Sequence, residues 1–306
     1  MTECATAAVG EVDWTRDPSD LLATMTEWGA PLIAPVRALI DCALHDFVAR
    51  RERLTVAAWL GAAAHKVVWK TNQTLFWSPF PEFLAQAQAY VDRGFRDLKV
   101  RVAAADFAED LCRIAALRAR FDAEIKIAAD ANGRWSATEA LENLKALAVY
   151  DLAYVEQPVP PGDWRAVEHL AGKSPLPVML DESVATPDDI TQICSYGGRI
   201  LAHLKLVKLG GIGPTVAAAR RLSGAGVPFM IGQMNEGAAA TAAALHVTCA
   251  TSPAFAELYG ADGLIDDPAS GISYTAGTVH TDHASGLGVA FDAATTHLIG
   301  DFRNGK

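Results

Sequence analysis

Several things are scarce in this sequence. Its five cysteines, Cys4, Cys42, Cys112, Cys194 and Cys249, are odd in number and contain no Cys-x-x-Cys pair. That argues against a disulfide framework and a zinc site, and it suits a reducing cytoplasm. Basic residues are outnumbered, 26 Lys+Arg against 36 Asp+Glu, for a net charge of −10. A chain without a basic excess is poorly equipped to bind nucleic acid or an anionic membrane. No apolar run reaches about 18 residues, and no basic flank precedes an apolar core at the N-terminus, so neither a membrane span nor a secretory leader is expected. Hydrophobic residues make up 51% of the 306. That is enough to fill one large barrel and a small appendage, and the reading is a cytoplasmic small-molecule enzyme or scaffold.

The rest of the chain is organised around three carboxylates, each closing a short apolar run. The runs are Ile125 to Asp130, Leu152 to Glu156 and Pro177 to Asp181, so the acids stand 26 and 25 residues apart. Short apolar runs separated by stretches of helical periodicity read as a β-loop-α repeat. In a parallel barrel the ends of such strands converge on the face where barrel enzymes keep their chemistry. Three ionised carboxylates brought together repel one another and require a counter-charge. A hard divalent cation meets that need: Mg²⁺, or Mn²⁺ in its place.

Residues Ala5 to Trp14 read as one strand in a partly mobile segment of about 30 residues. From Ala34 to Arg51 the apolar residues fall at helical spacing, with Pro35 near the start. Val67 to Asn72 is expected to open the barrel, followed by a helix from Glu82 to about Arg93 that Gly94 stops. Strand two, Asp97 to Val102, carries Lys99 and Arg101 on one side, because side chains alternate. If these face the lumen, they need anions beside them. Strand six, Ile200 to Lys205, ends 24 residues after Asp181 in a lysine, placed to act as a base near a metal. His203, one pleat deeper, reads as a hydrogen-bonded core histidine. Val227 to Gln233 and Ala254 to Tyr259 complete eight strands, and no full helix follows. Gly210-Gly-Ile-Gly213 reads as a tight loop before a helix, with a phosphate cradle as the weaker alternative. His280-Thr-Asp-His283 reads as surface decoration.

Lys99-Val-Arg101, Asp130-Ala-Asn132, Glu156-Gln-Pro158, Asp181-Glu-Ser183, Lys205-x-x-Lys208-x-Gly210-Gly211 and Met234-Asn-Glu236 together resemble the enolase superfamily. Within it they resemble the muconate lactonizing subgroup of the mandelate racemase/muconate lactonizing enzyme family, and the segment from Ser285 to Asp292 resembles that family's C-terminal return to its cap. The resemblance implies an α/β fold, a (β/α)7β modified TIM barrel, with Mg²⁺ on Asp130, Glu156 and Asp181. It also implies a small carboxylate substrate, whose α-proton is removed through an enediolate in a cycloisomerase, dehydratase or racemase/epimerase reaction. Lys205 would be the base, opposite Lys99 and Arg101. Lys208 and Glu182 would be supporting charges, and Asn132, Gln157 and Glu236 would line the mouth.

The chain departs from the pattern in two places. Arg101 stands where the family's second lysine would be, and a guanidinium holds its proton too tightly to act as a base. The N-terminus looks like a truncated α+β cap. The expected divisions are a partial capping segment over 1–62, the barrel over 63–260, and a C-terminal segment over 261–306 that packs back. An open mouth would favour a homo-oligomer. The competing reading is a non-catalytic, truncated barrel serving as a structural or binding subunit.

Overall fold

Apolar runs that end in a charged residue become the parallel strands of a barrel. The computed structural model describes residues 2–63, 66–104, 106–281 and 285–296. Four helices come first: α1 (Thr2–Glu11), α2 (Pro18–Ala23), α3 (Met25–Trp28) and α4 (Ala34–Arg51). The stretch from Ala5 to Trp14 is thus largely helical. Its run of alanines favours the helix over the strand expected of it. Val12, Leu21 and Met25 pack with Val36, Ile40 and Leu44 of α4 in a small core of their own.

Strand β1 (Val68–Lys70) is not the first barrel strand, as its sequence suggested. It pairs antiparallel with residues Thr278–Thr281, which pair in turn with Ile272–Thr275, in a separate three-stranded sheet. The barrel begins one step later, with β2 (Gln73–Leu75). It continues through β3 (Asp97–Arg101), β4 (Lys126–Asp130), β5 (Leu152–Glu156), β6 (Val178–Leu180), β7 (Ile200–Lys205), β8 (Phe229–Gly232) and β9 (Phe255–Glu257), each parallel to the next. Asn72 N–H donates to Ala256 O (3.1 Å) and so draws the two ends of the ladder together. Helices follow β2 through β8, and among the described residues none follows β9. This is the (β/α)7β barrel.

Alternation along each strand sorts the side chains. Leu98, Ile127, Val155, Leu180, Leu204 and Ile231 point outward under the helices and are at most 1% exposed. Truncating any of the leucines or isoleucines to alanine would cost about 2–5 kcal/mol. Ala128, Tyr154, Met179, Leu201 and Met230 point inward and close the barrel floor. The residues two positions further along β4, β5, β6 and β7 are Asp130, Glu156, Asp181 and His203, so the same alternation lifts them onto a polar layer above that floor.

The glycine turn after β7 holds no phosphate cradle. Gly210 (φ 96°) and Gly211 (φ 123°) are left-handed, and the helix behind them (Ile212–Gly224) has its first N–H groups taken by a carboxylate of the protein itself. Asp41 Oδ1, from α4, accepts from Ile212 N and Gly213 N. A Cβ on Gly211 would lie 2.4 Å from Asp41 Cγ, so only glycine fits there. Near the C-terminus, Leu287 N–H donates to Asp46 of α4, and Arg50 of α4 donates to Val289 O. His280 hydrogen-bonds Ser273, whereas Asp282 and His283 lie outside the described residues.

Candidate active site

Above the floor the lumen is crowded with charge. Lys99, in the middle of β3, is 3% exposed. Its Nζ lies 3.0 Å from Glu156 Oε2, 2.5 Å from Glu257 Oε2 and 3.7 Å from Asp130 Oδ2. Arg101, two residues on and nearer the mouth, donates to Asp130 Oδ2 (3.2 Å) and to Asn132 Oδ1. Across the lumen, Lys205 at the end of β7 donates to Asp181 Oδ2 (2.7 Å). Lys208, one turn further, donates to both Oδ1 and the backbone carbonyl of Asp181. Lys99, Arg101, Asp130, Asp181, Lys205 and Glu257 border a cavity of about 110 Å³ that Asn132, Glu182, Phe76, Met234, Asn235 and Tyr259 also line. A groove of about 610 Å³ lies outside, between the helices Ala137–Leu147 and Trp164–Lys173, and shares no residue with this site.

The supporting residues fall into two groups. Asn132, left-handed at φ 45°, lines the cavity and donates to Glu182 Oε1 (3.0 Å), tying strand ends β4 and β6 together. Gln157 does not line the mouth. It is fully buried at φ 35°, its Oε1 accepts from Asp181 N (3.0 Å) and Ser183 N (3.2 Å), and its Nε2 donates to Val159 O and Ser183 Oγ. It splints the backbone that carries Asp181. Glu236 turns its carboxylate back onto Met234 N (2.9 Å) and shapes the loop after β8. Glu257 is the functional candidate that the sequence reading passed over. It also accepts from Asn72 Nδ2 (3.0 Å), and the signal was available, since it is the one acid within the apolar run from Ala254 to Tyr259.

Burial and mutual repulsion decide which groups hold protons. Burial raises the Asp130 carboxyl to about 7, with Glu156 adding to the rise against Lys99 and Arg101. Burial likewise raises Glu156 to about 7, against the pull of Lys99. Burial works against Asp181 as well, but the two lysines that donate to it hold it well below the usual carboxylate range. Glu257, buried but beside Lys99, comes down to about 2. Burial pulls Lys99 and Lys205 down, and the carboxylates around them more than reverse this. For Lys208 burial wins, and its pKa falls. His203 is neutral for the same reason. Its Nδ1 lies 2.9 Å from Glu156 Oε1, and its Nε2 fills the space where a Cβ on Gly232 would stand.

Two carboxyls raised toward neutrality mark a site short of positive charge, which is what a hard divalent ion supplies. Glu156, Asp181 and His203 place ligand-type atoms within 4.8 Å of one another, all buried; His203 turns its Nδ1 to Glu156, so the two carboxylates are the members of this group that fit a hard metal. Asp130 stands outside that tight group, and Lys99 Nζ reaches both it and Glu156.

Known proteins are similar to this chain in sequence and in fold. Residues 82–295 match the family model described as enolase C-terminal domain-like. The N-succinyl-L-Arg/Lys racemase of Bacillus cereus is 29% identical over 223 residues, covering 72% of this chain and 59% of the racemase. Muconate cycloisomerase 1 of Rhodococcus opacus is 30% identical over 261 residues, 83% of this chain and 69% of that enzyme. Among solved structures, the dipeptide epimerase from Methylococcus capsulatus complexed with Mg ion superposes with a TM-score of 0.82 at 27% identity, covering 94% of this chain and 86% of that one. Among the described residues no helix is long and apolar enough to cross a membrane. The carboxylate-tipped strands, the lysines facing them and the matched span agree: the chain belongs to the enolase C-terminal domain-like family, in the mandelate racemase/muconate lactonizing enzyme group of the enolase superfamily.

Proposed function

We propose that the protein is a Mg²⁺-dependent isomerase or lyase that removes the proton α to a small substrate's carboxylate, with Asp130, Glu156 and Asp181 holding the ion. His203 serves as an orienting residue: its Nδ1 is spent on Glu156 and its Nε2 faces Gly232. Bound there, a divalent cation supplies positive charge where negative charge develops on the carboxylate. The observation that carries this reading is Lys205 Nζ standing 2.7 Å from Asp181, on the cavity wall opposite Lys99 and Arg101. Lys205 takes the proton as a free amine, so its present bond to Asp181 has to loosen before the step. Lys208 and Glu182 set the charge around Asp181 and Asn132. Lys99 holds Glu156 and Glu257 in place, and Arg101 remains a fixed cation.

The reaction is one-base chemistry, a cycloisomerisation or dehydration, because Arg101 cannot return a proton to the opposite face as a neutral base. Relatives named for racemase and for cycloisomerase activity share the barrel, so the subclass rests on that one position. A barrel serving only as a binding subunit is the less favoured reading, since the relatives that match it are named as enzymes. The test incubates each enantiomer of a turned-over substrate in D₂O with Mg²⁺ and follows the α-proton by NMR. Exchange is expected from one enantiomer. Comparable exchange from both, surviving Lys99→Ala, overturns the one-base reading.

A further inference from the structure

The chain that leaves β7 has little to hold it from within. After Lys205 it makes one helical turn (Leu206–Leu209), passes through Gly210 and Gly211, and enters the helix Ile212–Gly224. Gly210 N–H and Gly211 N–H both donate to Leu206 O, so the near end of this turn closes on itself. The far end has no such help. The residue before Ile212 is Gly211, which has no side chain to cap the helix, and no acidic residue stands in the helix's first turn. Lys208 rides on this segment, and its Nζ donates to both Oδ1 and the backbone carbonyl of Asp181.

The missing restraint comes from outside the barrel. Arg37, Asp41 and His45 stand at every fourth position of α4 and so share one face of it. Asp41 is buried, and its Oδ1 accepts from Ile212 N–H and Gly213 N–H, which makes it the cap that the helix lacks. One turn earlier in α4, Arg37 Nη2 donates to Leu209 O (3.1 Å), and its Nε occupies the place that a Cβ on Gly210 would need. Asp41 is itself held: His45 Nδ1 lies 2.8 Å from Asp41 O and 3.2 Å from Asp41 Oδ1, and the His45 ring meets Trp59 edge to face at 5.3 Å. Val36, Ile40 and Leu44, elsewhere around α4, pack on Leu21 and Met25 of the preceding helices. The N-terminal helices thus grip the turn on both sides of its glycine pair, at the residue next to Lys208 and again at the start of the following helix.

We propose that Arg37 and Asp41 are positioning residues for the β7 side of the site: from outside the barrel they fix the turn that carries Lys208, and through Lys208 the Asp181 carboxylate to which Lys205 donates. The inference rests on the reading of this cavity as the reactive site, with Lys205 as its base. Its test is side-chain NMR of the full chain with ¹⁵N-labelled lysine, in which a buried, hydrogen-bonded ammonium gives a slowly exchanging signal and a mobile one does not. Lys208→Met and Lys99→Met assign the two signals that matter. Arg37→Ala and Asp41→Ala should each lower the Lys208 signal at least about fivefold by letting the turn open locally, while the Lys99 signal, from the opposite wall, stays within about 1.5-fold of the parent. Asp41→Asn keeps an acceptor for the helix start and should hold the Lys208 signal within about twofold of the parent. General loss of stability lowers both signals together, so equal loss at Lys99 and Lys208 overturns the proposal. A Lys208 signal that survives both alanine variants, or that is absent from the parent, overturns it too. Arg37→Ala, at a more exposed side chain than Asp41, carries the test should Asp41→Ala fail to fold. The rate of α-proton exchange reads the base separately. Lys208 released by the alanine variants, with exchange in Lys205→Ala at the parent's rate, keeps the positioning and removes the base; exchange lost in Lys205→Ala, with Lys208 still held in the alanine variants, does the reverse.

Discussion

The lumen above the barrel floor and the shell between strands and helices are both buried, yet they treat polar groups in opposite ways. In the shell, Leu98, Ile127, Val155 and their neighbours form an apolar layer, and a polar group buried among the helices that cover it, such as His246 against Ala57, is pushed toward its neutral form by burial. In the lumen, acids and lysines are buried against each other, and several carboxylates have more than one cation in reach. A shell group has one arrangement, and disturbing it changes stability. Lumen groups can exchange partners, which is the property a site needs if ion, substrate and proton are to come and go. Substitutions in the lumen should therefore change chemistry first, and those in the shell should change stability alone.

The largest effect belongs to Lys205. Lys205→Ala removes the proposed base and should lower the rate of α-proton exchange by on the order of 10⁴-fold. Its stability should change far less, because Lys208 still donates to Asp181. Exchange kinetics and chemical denaturation of the same variant check both halves, and a rate within about tenfold of the parent would remove Lys205 from the mechanism.

Next comes Lys99, where the lumen behaves most like a shell. Lys99→Met leaves Glu257 and Glu156 without their shared cation in a site that is at most 4% exposed. Breaking a buried pair in this way costs about 3–5 kcal/mol. Urea unfolding in the presence of a chelator measures it. Glu257→Gln in the same background should recover part of the loss, since it removes one of the stranded charges.

How much of this contrast is visible in the chain alone depends on whether it is local. Asp130, Glu156, Asp181 and Lys205 are legible because each closes its own apolar run, and period-two alternation then puts them above a floor of Tyr154, Met179 and Leu201. The (β/α)7β order follows from the same repeat. Distant pairings are not legible in this way. Val68–Lys70 and Gln73–Leu75 form one continuous stretch of strand-forming residues, and only the partner at Thr278–Thr281 shows that the first piece leaves the barrel. Asp41 satisfies a helix start 171 residues away, so the glycine turn alone could not exclude a phosphate. Gln157 reads as a mouth residue by position. Its left-handed backbone turns it into the barrel wall, a conformation that sequence does not announce for glutamine.

The shell makes its own prediction, through pH. His246 accepts a hydrogen bond from Ala57 N (3.0 Å) on Nδ1, and burial depresses its pKa to about 4. In the unfolded chain the same imidazole titrates near about 6.5. Between those values the unfolded state binds more protons, so stability is fully present above about pH 6.5 and is lost as pH falls toward about 4. The contribution amounts to about 3 kcal/mol over that window. His246→Asn offers an acceptor without the titration. It should flatten this part of the stability profile while leaving α-proton exchange at neutral pH intact. A profile of unchanged slope between pH 6.5 and 4.5 would falsify the assignment.

The smallest effect on rate, and the most informative about chemistry, is expected of Arg101→Lys. Arg101 sits at the boundary between the closed lumen and solvent, its side chain 35% exposed and its guanidinium shared between Asp130 and Asn132. A lysine there keeps the positive charge on Asp130, so exchange from the preferred enantiomer should stay within about tenfold of the parent. What changes is the proton: guanidinium retains it with a pKa above about 12, whereas an ammonium can give it up and take it back. The variant would thus carry a titratable amine on each side of the α-carbon, Lys205 on β7 and the new one on β3. Deuterium should begin to enter from the opposite enantiomer, and the two enantiomers should slowly interconvert. NMR of each in D₂O with Mg²⁺ reads this directly. If the variant exchanges one enantiomer only, as its parent is expected to, then the identity of residue 101 does not decide between one-base and two-base chemistry. That choice would then lie with Lys99, deeper in the same strand and presently bound between Glu156 and Glu257.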